Sequence, residues 1–426
     1  MRRHVRRPNS VYAYSVLTML LLLTSALPGF TKEITFLSVG YPSALLTYVQ
    51  EEVAPVFKTR HNADVTVITA TWDNRVDRLV VLTAGGTPPD IVSTGFYSPY
   101  EEGSIGLLEP LDRYLARWPY TSRYPRQLWE ALSWQGQVMV MPQNVAPRAI
   151  AYNKELYGQS GLDPNKPPQS WDELTQYARR LTRIEGDRVT VRGFNVTTTA
   201  AGAAQQLFWF MRQAGLTEID TSTFTARLTD PKTVSALETL QELYDVGQMA
   251  MPILSGGFNQ GRIAMQYSNP QQMPAMMQAD PDLALRHFGL FAPRQTPNGT
   301  PVVHLFTDGL AIPKASYNKD LAWEFIALMS SDNILLDTQR IAGFFGGRTD
   351  MLQRMSDVHP RIDLWYNLFE YMQASVIPPP RNTSQQELGN LVLQVYRKQL
   401  APRAALEQAQ AVWNRLLNDW KPNVRQ

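Results

Sequence analysis

The sequence contains no cysteine among its 426 residues. Disulfides, thiolate metal sites and cysteine nucleophiles are therefore excluded, and so is lipid attachment through an N-terminal cysteine. Histidine is scarce as well: the five histidines are scattered along the chain, and no two of them stand in an H-x-x-x-H arrangement. A metal site built on paired histidines is not expected, and we predict neither a metal nor another cofactor.

The sequence also lacks a surplus of charge of either sign. Its 40 Lys and Arg residues nearly balance its 38 Asp and Glu residues, which leaves a formal net charge of +2 at pH 7. A nucleic-acid-binding protein would carry a basic surplus on one face, so nucleic acid is not an expected partner. The length and the 44% hydrophobic content indicate a globular chain long enough for two domains, each with its own core.

Motifs of the common catalytic sites are missing. The sequence has no G-x-x-x-x-G-K-[ST] loop, no G-x-G-x-x-G after a strand pattern and no G-x-S-x-G elbow. Glycoside hydrolysis needs two facing carboxylates, and the pattern nominates no such pair. These absences favour binding over catalysis, and we predict that the protein is not an enzyme.

Residues 1–26 have the pattern of an export signal. Four arginines among the first seven residues precede an uncharged run at 11–30 with a leucine-rich centre and small residues near its end. This pattern is typical of a secretory signal peptide, here with cleavage after Ala26. The uncharged run is about 20 residues long, which suffices to cross a bilayer, so an uncleaved N-terminal anchor is the alternative. Both interpretations predict that the rest of the chain is periplasmic or secreted.

Strand and helix patterns alternate after this segment. Three apolar segments predict strands at 33–39, 64–70 and 90–95. Between the second and the third, residues 73–86 have helical periodicity, and Gly85 is expected to end that helix in a left-handed conformation. Strand–helix–strand alternation is typical of a parallel sheet with helices on its faces, so the predicted fold class is α/β.

Further helix signals follow later in the chain. At 167–181, Ser170 is placed as an N-cap and Glu173 completes a capping box. Trp171, next to this cap, is expected to pack in the core. The segment PPPRNTSQQ at 378–386 combines prolines with small polar residues and is interpreted as a surface connection. Two more helices are predicted, at 320–329 and 401–417.

Five segments, taken in order, carry a resemblance to a known family. They are TAGGTPPDIV (83–92), VMVMPQNVAPRAIAYNKELYGQSGLDPNKPPQSWDEL (138–174), FNQGRIAMQYSNP (258–270), FTDGLAIPKASYNKDLAWEFIALMSS (306–331) and AALEQAQAVWNRLL (404–417). Each motif is short, but together they match in order from about Ile34 to Leu417. On these motifs the chain resembles the family 1 extracellular solute-binding proteins, which are maltose-binding-like receptors of carbohydrate-importing ABC transporters.

The resemblance implies a periplasmic-binding-protein-like fold, in which two α/β lobes are joined by a three-crossing hinge and hold the ligand between them. Transferred to this chain, lobe 1 comprises 33–143 plus 298–344, and lobe 2 comprises 146–293 plus 348–417. The crossings then fall near Asn144, 294–297 and 346–347. Ligands of open α/β sheets bind beyond the carboxyl ends of the strands, and clefts between lobes are preferred binding places, so the strand pattern agrees with this fold.

The function implied by the resemblance is that of an extracytoplasmic receptor of an ABC importer. Such a receptor binds a mono- or oligosaccharide, closes around it as a monomer and delivers it to membrane permease subunits. One alternative is the same fold with a non-sugar ligand such as glycerol phosphate or a polyamine. A phosphate would need helix N-termini or paired cations, and a polyamine would need several carboxylates. The other alternative is an enzyme that acts on sugars.

The chemistry of sugars indicates which residues of the implied fold are candidates for ligand binding. A sugar has flat apolar faces ringed by hydroxyls, so its receptor needs aromatic platforms and planar polar groups. The candidates follow predicted strands, lie at the predicted crossings or, for the carboxylate before Gly309, stand at a strand start; they are Tyr41, Trp72, Tyr97, Asn144, Tyr267, Asn269, Asp308, Phe345 and Arg348.

Some of these candidates have structural alternatives. Tyr41 can instead pack at the rim, Asn144 can instead form a hinge hydrogen bond, and Phe345 can instead pack against the third crossing. Relatives carry a tryptophan platform where Pro270 stands, and Tyr267 is the expected substitute.

Overall fold

The computed structural model describes residues 32–343, 345–356 and 359–424. The predicted export signal at 1–26 lies outside the described residues. Within the described ranges, no helix combines the length and the apolar character needed to cross a membrane.

The strands range from two residues to a 13-residue strand in the middle of the chain. In chain order they are β1 Lys32–Val39, β2 Ala63–Ala70, β3 Ile91–Gly95, β4 Ser133–Trp134, β5 Gln137–Val138, β6 Met141–Asn153, β7 Arg183–Glu185, β8 Arg188–Val191, β9 Ile219–Asp220, β10 Thr225–Ala226, β11 Met265–Ser268, β12 Phe288–Phe291, β13 Val303–Ala311 and β14 Met372–Gln373. The first three coincide closely with the strands predicted from apolar alternation.

The α-helices surround the strands, and the longest ones lie near the C-terminus. They are α1 Ser43–Tyr48, α2 Ala54–His61, α3 Arg75–Ala84, α4 Asp112–Leu115, α5 Arg126–Ala131, α6 Lys154–Gln159, α7 Trp171–Leu181, α8 Ala200–Gln213, α9 Pro231–Val246, α10 Met273–Ala279, α11 Lys319–Met329, α12 Asp332–Ala342, α13 Ile362–Tyr366, α14 Arg381–Tyr396 and α15 Pro402–Trp420.

One large sheet organises the fold, with the strand order β11-β6-β13-β3-β1-β2; β12 pairs with β6, and β14 pairs with β13. Strand β1 runs parallel to β2 and to β3, as strand–helix alternation predicts. Strand β13 is antiparallel to both of its long neighbours, β3 and β6. The fold is therefore a mixed α/β architecture whose parallel part lies at one end of the sheet.

The β6–β13 pair connects the two ends of this sheet. Strand β13 pairs along its length with β6, from His304 opposite Arg148 to Leu310 opposite Met141, with an irregularity after Asp308. The remaining part of β6 pairs with β11 and β12. Because one strand pair passes from the β1–β3 region to the β11–β12 region, residues on it lie at the junction between the two halves.

Hydrophobic cores lie on both sides of this junction. One core includes Phe36 and Phe57 of the first strands and helices. A second core is built mainly from helices and includes Trp209 of α8 and Trp413 of α15, whose side chains are fully buried. Burial of these large aromatic side chains contributes much of the stability of each half.

The predicted capping signals can be compared with α7. Ser170 Oγ accepts a hydrogen bond from Glu173 N at 3.1 Å, as expected for an N-cap. Glu173 Oε2 accepts instead from Gln169 N at 2.7 Å, one residue before the cap. Trp171 is buried and donates from Nε1 to Gln213 Oε1 at 2.6 Å, so the prediction that it packs in the core is confirmed.

Two local predictions are wrong. Helix α3 ends at Ala84, but Gly85 keeps a right-handed φ of −75°, and the left-handed residue is Gly86 with φ +78°. The supposed surface connection at 378–386 is largely the first turns of α14, which begins at Arg381. Its small polar residues resemble a loop, yet the helix forms because its later turns pack tightly against α8: a Cβ on Gly389 would overlap the carbonyl oxygen of Ala200.

Candidate functional site

A cavity of about 410 Å³ lies at the junction, beyond the carboxyl ends of β2 and β3. Three groups of residues surround it, and each group is given a name here. The strand wall consists of Trp72, Asp73, Phe96 and Tyr97; the helix wall consists of Ala201 and Gln205 of α8 with Arg381, Asn382 and Gln385 of α14; the floor consists of Asn144 and Arg148 of β6 with His304, Phe306 and Asp308 of β13. The site therefore draws on residues from the beginning, middle and end of the chain.

The floor is a consequence of strand register. Asp308 stands opposite Asn144, and His304 stands opposite Arg148, so these side chains share one face of the β6–β13 pair. Asn144 Nδ2 donates to Asp308 Oδ2 at 3.4 Å. Burial raises the pKa of Asp308 to about 6, although Asn144 and nearby arginines oppose that rise. Asp308 is thus a carboxylate whose ionised form is poorly stabilised by the protein alone.

A small adjoining space connects the floor to the end of β1. It has a volume of about 20 Å³ and is lined in part by Tyr41, Trp72, Asn144 and Asp308. Burial and the neighbouring Asp308 carboxylate raise the pKa of Tyr41. Four of the residues predicted for ligand binding are thereby brought together around one point.

The strand wall is anchored from below by a buried ion pair. Tyr97 is buried, and its hydroxyl accepts a hydrogen bond from Arg75 Nη1 at 3.1 Å. Arg75 is itself buried and forms an ion pair with the fully buried Glu102. Trp72 meets the Tyr97 ring edge-on at 6.4 Å between centroids. The aromatic face of this wall is therefore fixed by charges beneath it.

On the floor, the guanidinium of Arg148 is stacked on aromatic rings. Its guanidinium carbon lies 3.6 Å from the centroid of Phe306 and 5.4 Å from that of Tyr267. Arg148 Nη1 donates to Gln205 Oε1 of the helix wall at 2.8 Å. Such stacking fixes the plane of a guanidinium without neutralising its charge.

His304 connects the floor to the chain segment that precedes α14. His304 Nδ1 shares a hydrogen bond of 2.7 Å with the Tyr267 hydroxyl, and Nε2 shares one of 2.7 Å with Ser375 Oγ. Burial, together with the charges of Arg148 and Arg212, lowers the pKa of His304 well below its ordinary value. A neutral imidazole therefore holds Tyr267 behind the floor, where Tyr267 supports Arg148.

The helix wall contacts the strand wall directly. The guanidinium of Arg381 lies 4.1 Å from the centroid of the Tyr97 ring. The backbone N–H of Arg381 donates to Glu101 Oε1 at 3.1 Å. Asn382 Nδ2 donates to Asp73 Oδ1 at 2.9 Å. The two walls thus meet through one cation–π contact and one hydrogen bond, and Glu101 adds a second hydrogen bond to the helix wall.

The side chain of Asn269, a predicted ligand-binding residue, forms a hydrogen bond within its own turn. Its side chain caps the short 3₁₀ turn Pro270–Gln272 by accepting from Gln271 N at 3.0 Å. It is not among the residues that line the cavity. Asn is a strong N-cap residue because its side-chain oxygen replaces the missing backbone partner.

Phe345 and Arg348 also lie away from the cavity. The Phe345 side chain is 1% exposed and packs against Phe369 with ring centroids 5.6 Å apart. Arg348 is likewise 1% exposed and forms ion pairs with Asp332 at 2.8 Å and Asp350 at 2.7 Å. Both side chains are engaged by the protein itself and do not reach the cavity.

Several cavity residues escaped the sequence-based selection. A signal existed for some of them: on strands, alternate residues share a face, so Asp308 implies Phe306 and His304, and Asn144 implies Arg148. No comparable signal pointed to Arg381, because its segment was interpreted as a loop. Its position depends on how α14 packs, which is a tertiary effect.

A larger space of about 810 Å³ adjoins the cavity. The two spaces share Phe96, Tyr97 and Ser375. Tyr100 and Trp134 line the larger space, with their rings meeting edge-on at 5.4 Å. Further aromatic surface is thus available beside the strand wall. Among the residues that the structure describes, no group of His, Asp and Glu side chains is arranged to hold a metal ion.

The sequence of this chain is similar to those of known binding proteins. The family model described as bacterial extracellular solute-binding protein matches residues 40–333, more than half of the chain. A binding protein of Brucella abortus (strain 2308) is 24% identical over 262 residues, which cover 60% of this chain and 61% of that protein. The match therefore spans about three fifths of the length of this curated relative.

Solved structures share the whole architecture. An ABC transporter solute-binding protein from Thermotoga lettingae, bound with α-D-tagatose, superposes with a TM-score of 0.71 at 22% identity and covers 91% of this chain and 100% of its own. The sugar-binding protein MalE from Xanthomonas citri gives a TM-score of 0.75 at 20% identity, covering 92% of this chain and 98% of its own. At this level of identity the likeness shows the fold.

Proposed function

Since the chain belongs to the family of bacterial extracellular solute-binding proteins, we propose that it is the receptor of an ABC importer and that it binds a carbohydrate in the cavity at the junction. The observation that supports this most directly is the combination of side chains around one space. Trp72 and Tyr97 offer aromatic surface, while Asn144 and Asp308 offer planar polar groups. This combination suits a molecule with flat apolar faces and peripheral hydroxyls.

The relatives support a carbohydrate as the ligand class. The Thermotoga lettingae protein was solved with α-D-tagatose, and the Xanthomonas citri protein is named as sugar-binding. In this chain the 810 Å³ space beside the strand wall leaves room for more than one sugar ring next to the floor. We infer that the ligand is a mono- or oligosaccharide rather than glycerol phosphate or a polyamine.

Ligand-driven closure is the proposed mechanism. The lobes would comprise 33–143 plus 298–344 and 146–293 plus 348–417. Two contacts support a hinge at the proposed crossings: Asn144 pairs with Asp308, and Val145 N donates to Phe345 O at 2.7 Å. A ligand that touches both walls binds the closed state more tightly and shifts the population towards it.

The proposed cellular role follows from the family and from the N-terminal sequence. The family consists of extracellular solute-binding proteins, and the pattern of residues 1–26 favours export to the periplasm or beyond. We propose that the protein acts there as a monomer and delivers its ligand to permease subunits in the membrane. We also propose that it binds without catalysis, as receptors of this family do.

A saccharide panel tests this proposal. Purified protein is incubated with mono- and oligosaccharides, and both the melting temperature and the release of products are followed. A rise in melting temperature with intact saccharide is expected. Turnover of the saccharide would instead identify an enzyme, and stabilisation only by glycerol phosphate or polyamines would identify another ligand class.

A matched pair of variants locates the site. Trp72→Ala is expected to weaken saccharide binding at least tenfold, because it removes an aromatic surface of the cavity. Tyr317→Ala is the control, since Tyr317 is 82% exposed and does not line the cavity. Equal affinities of the two variants would show that the ligand binds elsewhere.

A further inference from the structure

Two arginines face the cavity without a carboxylate partner. We propose that the carbohydrate is an acidic saccharide, one that carries a carboxylate such as a uronic acid, and that this carboxylate binds between Arg148 and Arg381. The inference rests on the proposed function and narrows it to a chemical class of ligand.

Arg148 is the first of these arginines. Its guanidinium is stacked on Phe306 and donates to Gln205, and it forms no ion pair with a carboxylate among the described residues. Its Nε is enclosed by protein and has no hydrogen-bond partner. A guanidinium has five N–H donors; because Nε is enclosed and one Nη1 donor is used by Gln205, only the remaining Nη donors of Arg148 can face the cavity that it lines.

Four arginines that are buried or nearly buried have acceptors within the protein. Arg75 forms an ion pair with Glu102, Arg212 with Glu218 at 2.6 Å, and Arg348 with two aspartates. Arg192 lacks a carboxylate but donates to three backbone carbonyls. Arg148, which is half-buried, has neither a carboxylate nor a backbone carbonyl among its hydrogen-bond acceptors in the described residues and donates to Gln205. Enclosed charges are normally paired, because an unpaired one is costly.

Arg381 is the second arginine. It is half-buried at the start of α14, with its guanidinium 4.1 Å from the centroid of the Tyr97 ring. Among the described residues its side chain forms neither an ion pair nor a hydrogen bond; only its backbone N–H is used, towards Glu101. Its planar donors are therefore available to a carboxylate in the cavity, which is the geometry that guanidinium groups recognise best.

The two arginines act on the same place. Both line the cavity together with Asp308, and their guanidinium charges, like that of Arg75 beneath the strand wall, oppose the rise in the pKa of that floor carboxylate. Neither is within ion-pair distance of it, which leaves a gap between the cations and Asp308. A ligand carboxylate fits on the side of the arginines, and ligand hydroxyls can donate to Asp308 on the other side.

The charge of the cavity favours a carboxylate over a phosphate ester. The acidic side chains among its lining residues are Asp308 and the exposed Asp73, and Asp73 already accepts a hydrogen bond from Asn382. A monoanion would be balanced by the two arginines. A phosphate ester carries up to two negative charges at neutral pH, and together with Asp308 these would exceed the two positive charges of the arginines.

Calorimetry with matched saccharides tests the proposal on the whole exported protein. The series are galacturonic acid with its dimer and trimer, galactose with its neutral dimer and trimer, and galactose phosphate. At least one uronate is expected to bind ten times more tightly than its neutral counterpart and than the phosphate. Equal or tighter binding of the neutral sugars, or of the phosphate alone, would overturn the inference while leaving a carbohydrate receptor intact.

The same panel separates this inference from the proposed function. If none of the saccharides binds, neutral or acidic, the proposed carbohydrate receptor itself is contradicted. The panel is therefore extended to glucose and mannose with their uronates and their neutral oligomers, so that the ring configuration does not decide the result.

Two variants test whether the arginines cause the preference for uronates over neutral sugars. Arg148→Gln and Arg381→Gln are each expected to reduce uronate affinity at least tenfold and neutral-sugar affinity less than threefold, so that the ratio of the two falls. Arg179→Gln is the control, because Arg179 is 67% exposed on α7. An unchanged ratio in both variants would overturn the assignment. Melting curves without ligand verify folding, and Arg381→Gln decides alone if Arg148→Gln does not fold.

Discussion

The strand wall and the helix wall face each other across the cavity but are held by different forces. Tyr97 of the strand wall is fixed by the buried pair of Arg75 and Glu102. In the helix wall, Asn382 and Arg381 are joined to the rest of the site by contacts near the solvent. Because near-surface contacts are weaker than buried networks, the helix wall is the one expected to move when the cleft opens.

Removal of the buried ion pair beneath the strand wall is expected to cause the largest loss of stability. Arg75→Met leaves Glu102 charged and without its partner in the core, and we expect a loss of about 3–5 kcal/mol of unfolding free energy in urea titrations. Adding Glu102→Gln should recover part of this loss, because the uncompensated charge is gone. A loss below about 1 kcal/mol in the single variant would show that this wall does not depend on the pair.

How much of the site can be predicted differs between the walls for a physical reason. Trp72 and Tyr97 follow strands of a sheet, and the carboxyl ends of parallel strands meet at one edge. Apolar alternation locates those strands, so the residues after them can be selected from sequence. Tyr41 follows β1 in the same way and lines the small space next to the floor, together with Asp308, which lies within the antiparallel strand β13.

The helix wall could not be predicted in this way. Arg381 reaches the cavity because α14 begins after a run of prolines and packs on α8. The periodicity of the local sequence predicts neither where this helix begins nor which helix it packs against. Arg348 is a candidate because it matches a basic residue of the relatives near the third crossing, yet it forms ion pairs with Asp332 and Asp350. Whether an arginine is paired depends on its neighbours in space, which a linear pattern does not contain.

The helix wall can be displaced by one methyl group. Gly389→Ala places a Cβ against the carbonyl oxygen of Ala200, so α14 must shift away from α8. We expect a loss of about 1–3 kcal/mol in unfolding free energy and weaker saccharide binding. Asn390→Ala is the matched control, since Asn390 is exposed one residue later in the same helix. If both variants retain full affinity, the position of α14 does not matter for the ligand.

Asp308, which lies between the walls, is expected to lower the stability of the unliganded protein and to contribute to ligand binding. Its pKa rises from 3.8 to about 6, so ionisation disfavours the folded state, and the folded chain loses stability as the pH rises through that interval. Asp308→Asn should therefore stabilise the unliganded protein above pH 6 by about 3 kcal/mol, with no gain below pH 4. Denaturation at several pH values measures this difference, and a gain that is independent of pH would contradict it.

The same variant should weaken ligand binding. Replacing the carboxylate by an amide turns one of its two acceptor oxygens into a donor and removes the charge, and we expect a decrease in affinity of about tenfold, or about 1.4 kcal/mol. Calorimetry with the saccharide selected by the panel measures it. Stabilisation without any loss of affinity would place Asp308 in the protein framework and not in the ligand site.

The smallest effect is expected outside both walls, at Asn269. Its side chain caps the turn at 270–272, and Ala would remove one hydrogen bond there, at a cost of about 1 kcal/mol of unfolding free energy. Saccharide affinity should change less than twofold, because the side chain does not line the cavity. Asn269→Asp is the control, since Asp caps equally well and should retain stability. A tenfold loss of affinity in Asn269→Ala with normal stability would instead extend the ligand site to the end of β11, beyond Tyr267 and the floor that it supports.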